Sequence, residues 1–397
     1  MGPNSWDPTA PMGPAAPAPQ HGAPQPGAPH WPTPQHVPAS PETTGALPIR
    51  QRRWVAALAL YLLAPLIAEA LTGSTPPLSF FTPVPFLYLT ALYGTGALLA
   101  RETARRRNLG WSAVILLGAA YGVLEEGLVV TSWFNPHWPD ALYLASFSRY
   151  LGADWFWAVG LTAFHAIISV TLPIALVEAA FPTLAPLPWL STRAYRLLIG
   201  WLGVVSVAGL VAFGFVMFRA EGYHPPLVGW LLALAIAGGL VWLATHPFGR
   251  LWRRSQGEPT VPPRVTRRGA PSLPMLRFAG FAYSVVFFVI LWGGPRIFHR
   301  QSVALAALSL WIALGVWAAS RWGHRMDWSA RRRLALLTGV ALFWVALAPL
   351  LEFSIRPAGK DETGLTILAV AMLAALIWLA HTARKTEERR LGAGRGG

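Results

Sequence analysis

Ten apolar runs recur along the chain from Trp54 onward, at 54–71, 84–100, 112–131, 154–180, 195–219, 227–245, 275–293, 302–320, 334–352 and 365–381. Each approaches the roughly 20 residues that a helix needs to cross a hydrocarbon core about 30 Å thick. In lipid, a spanning segment must satisfy its own backbone, so runs of this length predict helices. The expected fold class is therefore all-α, a polytopic membrane helix bundle of about ten transmembrane helices. Composition agrees, with 54% of residues hydrophobic, 12% charged and a mean hydropathy of +0.43. These values exclude an ordinary soluble domain.

The net charge of +15 would point to nucleic acid in a soluble protein. Here the arginines sit between the apolar runs, and they sit on alternate sides. One side holds Arg50, Arg52 and Arg53, then Arg101 with Arg105 to Arg107, then Arg193 and Arg196, the 250–268 arginines, and Arg331 to Arg333. The other side holds only Arg149, Arg219, Arg296, Arg300, Arg356 and Lys360. The positive-inside rule then places both termini in the cytoplasm. The expected location is the cytoplasmic (inner) membrane of a bacterium, with the lipid bilayer as partner and no nucleic acid. Cysteine is absent, which excludes disulfides, a thiol nucleophile and a Cys-ligated metal.

Four regions are expected. Residues 1–49 form a Pro/Ala/Gly-rich tail, too proline-dense for helix and too poor in apolar surface to fold, with a polyproline segment able to dock a protein partner. Residues 50–182 form a four-helix unit, 183–386 a six-helix unit of three hairpins, and 387–397 a flexible basic tail. Gly200, Gly203, Gly209, Gly238 and Gly239 predict close helix packing in the second unit. The proline-rich basic linker from Arg250 to Arg277 is the clearest internal boundary.

Ionisable residues inside the runs concentrate in the first unit. A carboxylate in hydrocarbon is costly unless paired or neutralised, which makes Glu125, Glu126 and His165 a functional hypothesis by default. By helix rise, Glu125 lies roughly 10 Å below the outer end of its run and His165 roughly 15 Å below its own. The two therefore reach similar depths. Thr162, His165 and Ser169 share one helix face, and Gly118, Tyr121, Gly122, Glu125 and Val129 share one stripe. Neighbours on an α-helix differ by about 100°, so only one of the two glutamates is expected to point squarely at His165. Pro173 should kink its helix one turn past His165. The loop from Ser132 to Ala153 is either a lid that brings His137 to the site or an interfacial segment. Glu69 is either a member of the site or an interfacial carboxylate, while Glu178 is expected to snorkel or to pair with Arg193. With one histidine inside a run, no metal site and no cofactor are expected.

Leu124-Glu125-Glu126-Gly127 and the stretch from Trp157 to Ser169, with Phe164, His165 and Ser169, resemble motifs of the CAAX-prenyl protease and bacteriocin-processing (CPBP) membrane family. Its motifs are Glu-Glu-x-x-x-Arg, Phe-x-x-x-His and His-x-x-x-Asn. The resemblance implies an intramembrane glutamic protease without a metal, in which one glutamate activates water and the histidine stabilises the tetrahedral intermediate. The catalytic set it implies is Glu125, Glu126, His165 and Ser169. Val130 stands in place of the arginine, Ser169 replaces the asparagine, and no run supplies a second histidine. The residues themselves leave three functions open: a hydrolase, a proton-coupled transporter using the same carboxylates, and a non-catalytic membrane scaffold.

Overall fold

All ten apolar runs are helices in the computed structural model, which describes residues 49–246, 271–323, 329–355 and 360–393. In chain order the spans are Arg52–Leu71, Pro83–Arg106, Trp111–Val129, Trp155–Ala180, Thr192–Val216, Leu227–Thr245, Leu273–Phe298, Gln301–Trp322, Ala330–Ile355 and Leu365–Thr382. The proline-rich tail and most of the basic linker lie outside the described residues. The helix that begins with span ten continues to Ala393, past the expected start of a flexible tail. Among the described residues, extended structure is limited to one antiparallel pair, Arg149–Tyr150 with Ala153–Asp154.

Spans three and four form the centre. In their most apolar stretches 72% and 67% of residues are buried, against 17%, 17%, 22% and 11% for spans five to eight. Spans one, two and nine are intermediate, so the core is built by the spans that carry the ionisable residues plus span nine. Ile67, Ile168, Leu172, Leu337, Trp344 and Met372 pack in one apolar cluster. Spans nine and ten therefore close directly on spans one and four. Four of the five glycines expected to pack in spans five and six do not: a β-carbon at Gly200, Gly203, Gly238 or Gly239 would meet nothing within 4 Å, whereas Gly209 meets Tyr88 and Val129. The close approach lies elsewhere. Gly118 and Gly122, four residues apart on span three, let span four against them; a β-carbon would sit 2.9 Å from the Ala166 carbonyl at one and 2.8 Å from His165 Cβ at the other.

Each of the first four spans contains a π-helical stretch: Leu66–Leu71, Thr90–Gly94, Leu124–Val129 and His165–Thr171. Such stretches are rare and tend to mark functional sites. The one in span four ends next to the proline expected to act on this helix. Pro173 has no N–H to give to the Ser169 carbonyl, and the helix widens just before it, with the Leu172 N–H reaching Ile167 and the Thr171 hydroxyl donating to the Ala166 carbonyl at 2.7 Å. The α-helix then resumes as Leu172–Ala180.

The arginine-rich end of this core is held by an ion network. Span two runs to Arg106, beyond the expected limit at residue 100, and so carries Arg101 and Glu102 into the protein, where both are fully buried. Arg101 donates to Glu102 at 2.8 Å, to Glu178 at 3.2 Å and to the Leu184 and Ala185 carbonyls, and its guanidinium lies 3.4 Å above the Trp189 ring. Glu102 accepts the Trp189 and Leu190 N–H groups. Glu178 neither snorkels nor meets Arg193; it is 7% exposed and receives Arg105 at 2.6 and 2.8 Å as well as Arg101. Its partners come from span two because that helix extends far enough to present two arginines one turn apart.

Candidate intramembrane Glu-Glu-His site

His165 opens the π stretch of span four, and Glu125 and Glu126 lie in that of span three. The imidazole Nε2 sits 3.2 Å from Glu125 Oε2 and 3.1 Å from Glu126 Oε1. Both glutamates face the same nitrogen, contrary to the expectation for an α-helix. The backbone explains this: the Val130 N–H reaches the Glu125 carbonyl at 2.9 Å, an i to i+5 bond. A π turn holds more residues than the 3.6 of an α turn, so the angle between neighbours falls and two adjacent side chains converge. Gly122 does the rest by admitting His165 to contact.

All three side chains are buried, at 5%, 6% and 1% exposure for Glu125, Glu126 and His165. Their surroundings fix them in turn. Ser169, one helical turn along, places its hydroxyl 2.9 Å from His165 Nδ1. Glu126 Oε2 accepts the Ser132 hydroxyl, which itself accepts the indole N–H of Trp157 at 3.0 Å. Three aromatic rings, Tyr93, Tyr121 and Phe164, stand 5.8, 6.0 and 5.4 Å from the imidazole. Glu125 Oε2 and the buried Tyr121 hydroxyl accept or donate no hydrogen bond. The structure thus brings Glu125, Glu126, His165 and Ser169 into one constellation.

Glu69 belongs to its neighbourhood. It is buried, accepts the Tyr93 hydroxyl at Oε1, and accepts the Thr75 hydroxyl at 2.6 Å on Oε2. Tyr93 links it to the ring pack around His165. Sequence reading passed over Tyr93 and Ser132; a tyrosine hydroxyl in an apolar run, which needs a partner when buried, was the available signal.

The 132–153 loop folds partly over the site. Thr131, Ser132, Trp133, Phe134 and Asn135 are buried, and Tyr223 and Trp230 donate to the Thr131 and Leu128 carbonyls at 3.2 and 3.1 Å. His137 stays outside: it is exposed, and its contact is a backbone N–H to Asn135 Oδ1. Asp154 caps span four by accepting the Trp157 N–H at 3.0 Å. Burial pushes its carboxyl above the ordinary aspartate range, against the pull of that N–H.

One donor atom from each of Glu125, Glu126 and His165 can be chosen so that all lie within 4.8 Å of one another, a set that one metal ion could span. The expectation of no metal site rested on counting histidines; the π turn sets two carboxylates beside the one histidine.

A family model described as an uncharacterized membrane protein family matches residues 58–390. No curated protein and no solved structure matches the chain.

Proposed function

The chain belongs to this uncharacterized membrane protein family, and on that premise we propose that it is an intramembrane hydrolase acting on a peptide or related acyl bond. One observation carries the reading: a single imidazole nitrogen lies within 3.2 Å of two buried carboxylates. Carboxylate and imidazole at this separation can share the proton of a water, which is what attack on an acyl carbon requires. Burial strengthens every such interaction, and Ser169, Ser132 and Trp157 fix the groups in place. Glu125, Glu126 and His165 handle the water and the developing negative oxygen, and Ser169 orients His165. The reading agrees in its residues with the resemblance to the CPBP proteases.

The test is a comparison of membrane-protein fragments, by mass spectrometry, in cells expressing wild type, Glu125→Gln, Glu126→Gln or His165→Asn. Glutamine keeps the shape and most hydrogen bonds but cannot take a proton. Fragments present with wild type should disappear with each variant at equal protein level. If the fragment sets are the same for all four, the hydrolase reading is wrong.

A proton-coupled transporter is the second reading, favoured by Glu69, whose bonds to Thr75 and Tyr93 extend the ionisable groups beyond the cluster. Glu69→Gln separates the two. It should stop proton movement into vesicles under transport and leave fragment release in place under hydrolysis.

A further inference from the structure

We propose that Glu125, Glu126 and His165 together bind one divalent ion of the zinc class. This differs from the metal-free chemistry that the CPBP resemblance implies, and it stands on the geometry whether or not the protein is a hydrolase.

Distance is the first argument. Zinc takes imidazole nitrogen and carboxylate oxygen at about 2.0–2.2 Å, so donors at the corners of a tetrahedron around it stand about 3.3 Å apart. Nε2 lies 3.2 and 3.1 Å from its two carboxylate oxygens. These spacings also suit hydrogen bonds, so distance alone does not decide.

The donor set adds to it. If His165 donates from Nδ1 to Ser169, its Nε2 presents a lone pair to two carboxylate oxygens; a proton on one carboxyl would satisfy one of them, whereas a cation between them engages all three atoms at once. If the ring carries its proton on Nε2, one N–H faces two acceptors, and only Glu126 gains a hydrogen bond while Glu125 Oε2 has none. An isolated buried carboxylate oxygen is costly. Among the described residues, no arginine or lysine pairs with either glutamate. Two ionised carboxylates and a neutral imidazole are balanced by one doubly charged ion.

The surroundings are the second, independent argument. Ligating histidines usually give their other nitrogen to a fixed partner, and ligating carboxylates are hydrogen-bonded in turn. Here Ser169 holds His165 Nδ1, and Ser132, itself held by Trp157, takes the far oxygen of Glu126. The free Tyr121 hydroxyl, on a ring packed edge-on to the imidazole, is a 4%-exposed polar group beside the donors. Imidazole with carboxylate suits zinc and its neighbours better than calcium or magnesium, which take oxygen. Three protein ligands leave a position for water, whose pKa such an ion lowers to about 7.

The experiment uses the full chain, purified in detergent through a tag without histidine, stripped with chelator, loaded with Zn²⁺ or Co²⁺ and freed of excess. Elemental analysis should give one ion per chain, and the cobalt form should show the visible absorption of a tetrahedral site. Glu125→Gln, Glu126→Gln and His165→Asn should each lose the ion. Ser169→Ala should keep the fold and bind about 10–100-fold more weakly. Deleting the tail with His21, His30 and His36, or changing His137→Asn, should leave the count at one. Wild type that binds no ion, or an ion that survives all three ligand changes, overturns the proposal. Should a ligand variant fail to fold, the wild-type count and the Ser169→Ala affinity decide alone. Wild type that binds no ion while fragments still form removes the metal and leaves the hydrolase; a bound ion with no fragments removes the hydrolase and leaves the metal.

Discussion

At the scale of the residue, the buried ions fall into two groups with opposite characters. Glu102 and Glu178 are neutralised by Arg101 together with Arg105 and Arg106, and they use most of their hydrogen-bonding capacity on fixed partners. Glu125 and Glu126 share a single imidazole. The first arrangement is structural, and removing one partner should leave a buried charge uncompensated. Arg101→Ala is expected to cost about 3–5 kcal/mol. Arg101→Lys should fare poorly too, because a compact ammonium cannot serve Glu102, Glu178 and two carbonyls while stacking on Trp189. Glu178→Gln should lower the thermal midpoint in detergent, whereas Glu125→Gln should not. If Glu178→Gln melts with wild type, the network is not holding this end together. The sequence placed Glu125 and His165 at one depth correctly, since rise per residue is nearly constant. It could not place Glu178, because its partners lie 77 and 73 positions away and depend on where span two ends.

At the scale of the element, the site depends on how closely spans three and four approach and on how their turns are wound. Gly122 sets the first. A methyl group there would stand 2.8 Å from His165 Cβ, against a backbone that Thr162 also presents at 3.2 Å. Gly122→Ala is expected to cost about 1–3 kcal/mol of overpacking and to abolish activity and ion binding. Gly200→Ala, with nothing near it, should change neither. The comparison can be read from thermal melts and ion counts on the same preparations. Loss of function in both variants would mean that any added methyl disturbs this protein. The Gly118–Gly122 spacing was visible in the sequence; its role was not, because Gly200, Gly203, Gly238 and Gly239, of equal promise in spans five and six, turn out to meet nothing. The π winding was invisible, since α and π turns share the same apolar composition and differ only in which carbonyl each N–H finds.

At the scale of the whole molecule, ten spans were legible because hydrophobic length is read directly from sequence, and the burial hierarchy was not, because lipid-facing and core-facing helices are equally apolar. The orientation expected from the arginine distribution has a direct test. The chain has no cysteine, so a cysteine introduced at the exposed positions Ser146 or Glu221 is the sole label site. Each should react with an impermeant thiol reagent added to intact cells, and one at Ser255 should not; the opposite pattern would invert the molecule. The π stretches have a further consequence, for chain length. A π turn holds one residue more than the α-helix around it needs. Removing a residue from 124–129 or 165–171 therefore lets the span close as plain α-helix, with no loss of apolar character and one shorter path. The flanking side chains then keep their faces, and only those inside the former π turn swing apart to the α-helical spacing of about 100°. A deletion of Gly127 should thus give a well-inserted, helical protein whose Glu125 and Glu126 no longer converge on His165. For this site the winding of spans three and four is under as tight a constraint as residue identity, so single-residue deletions within 124–129 or 165–171 should abolish the site while sparing membrane insertion.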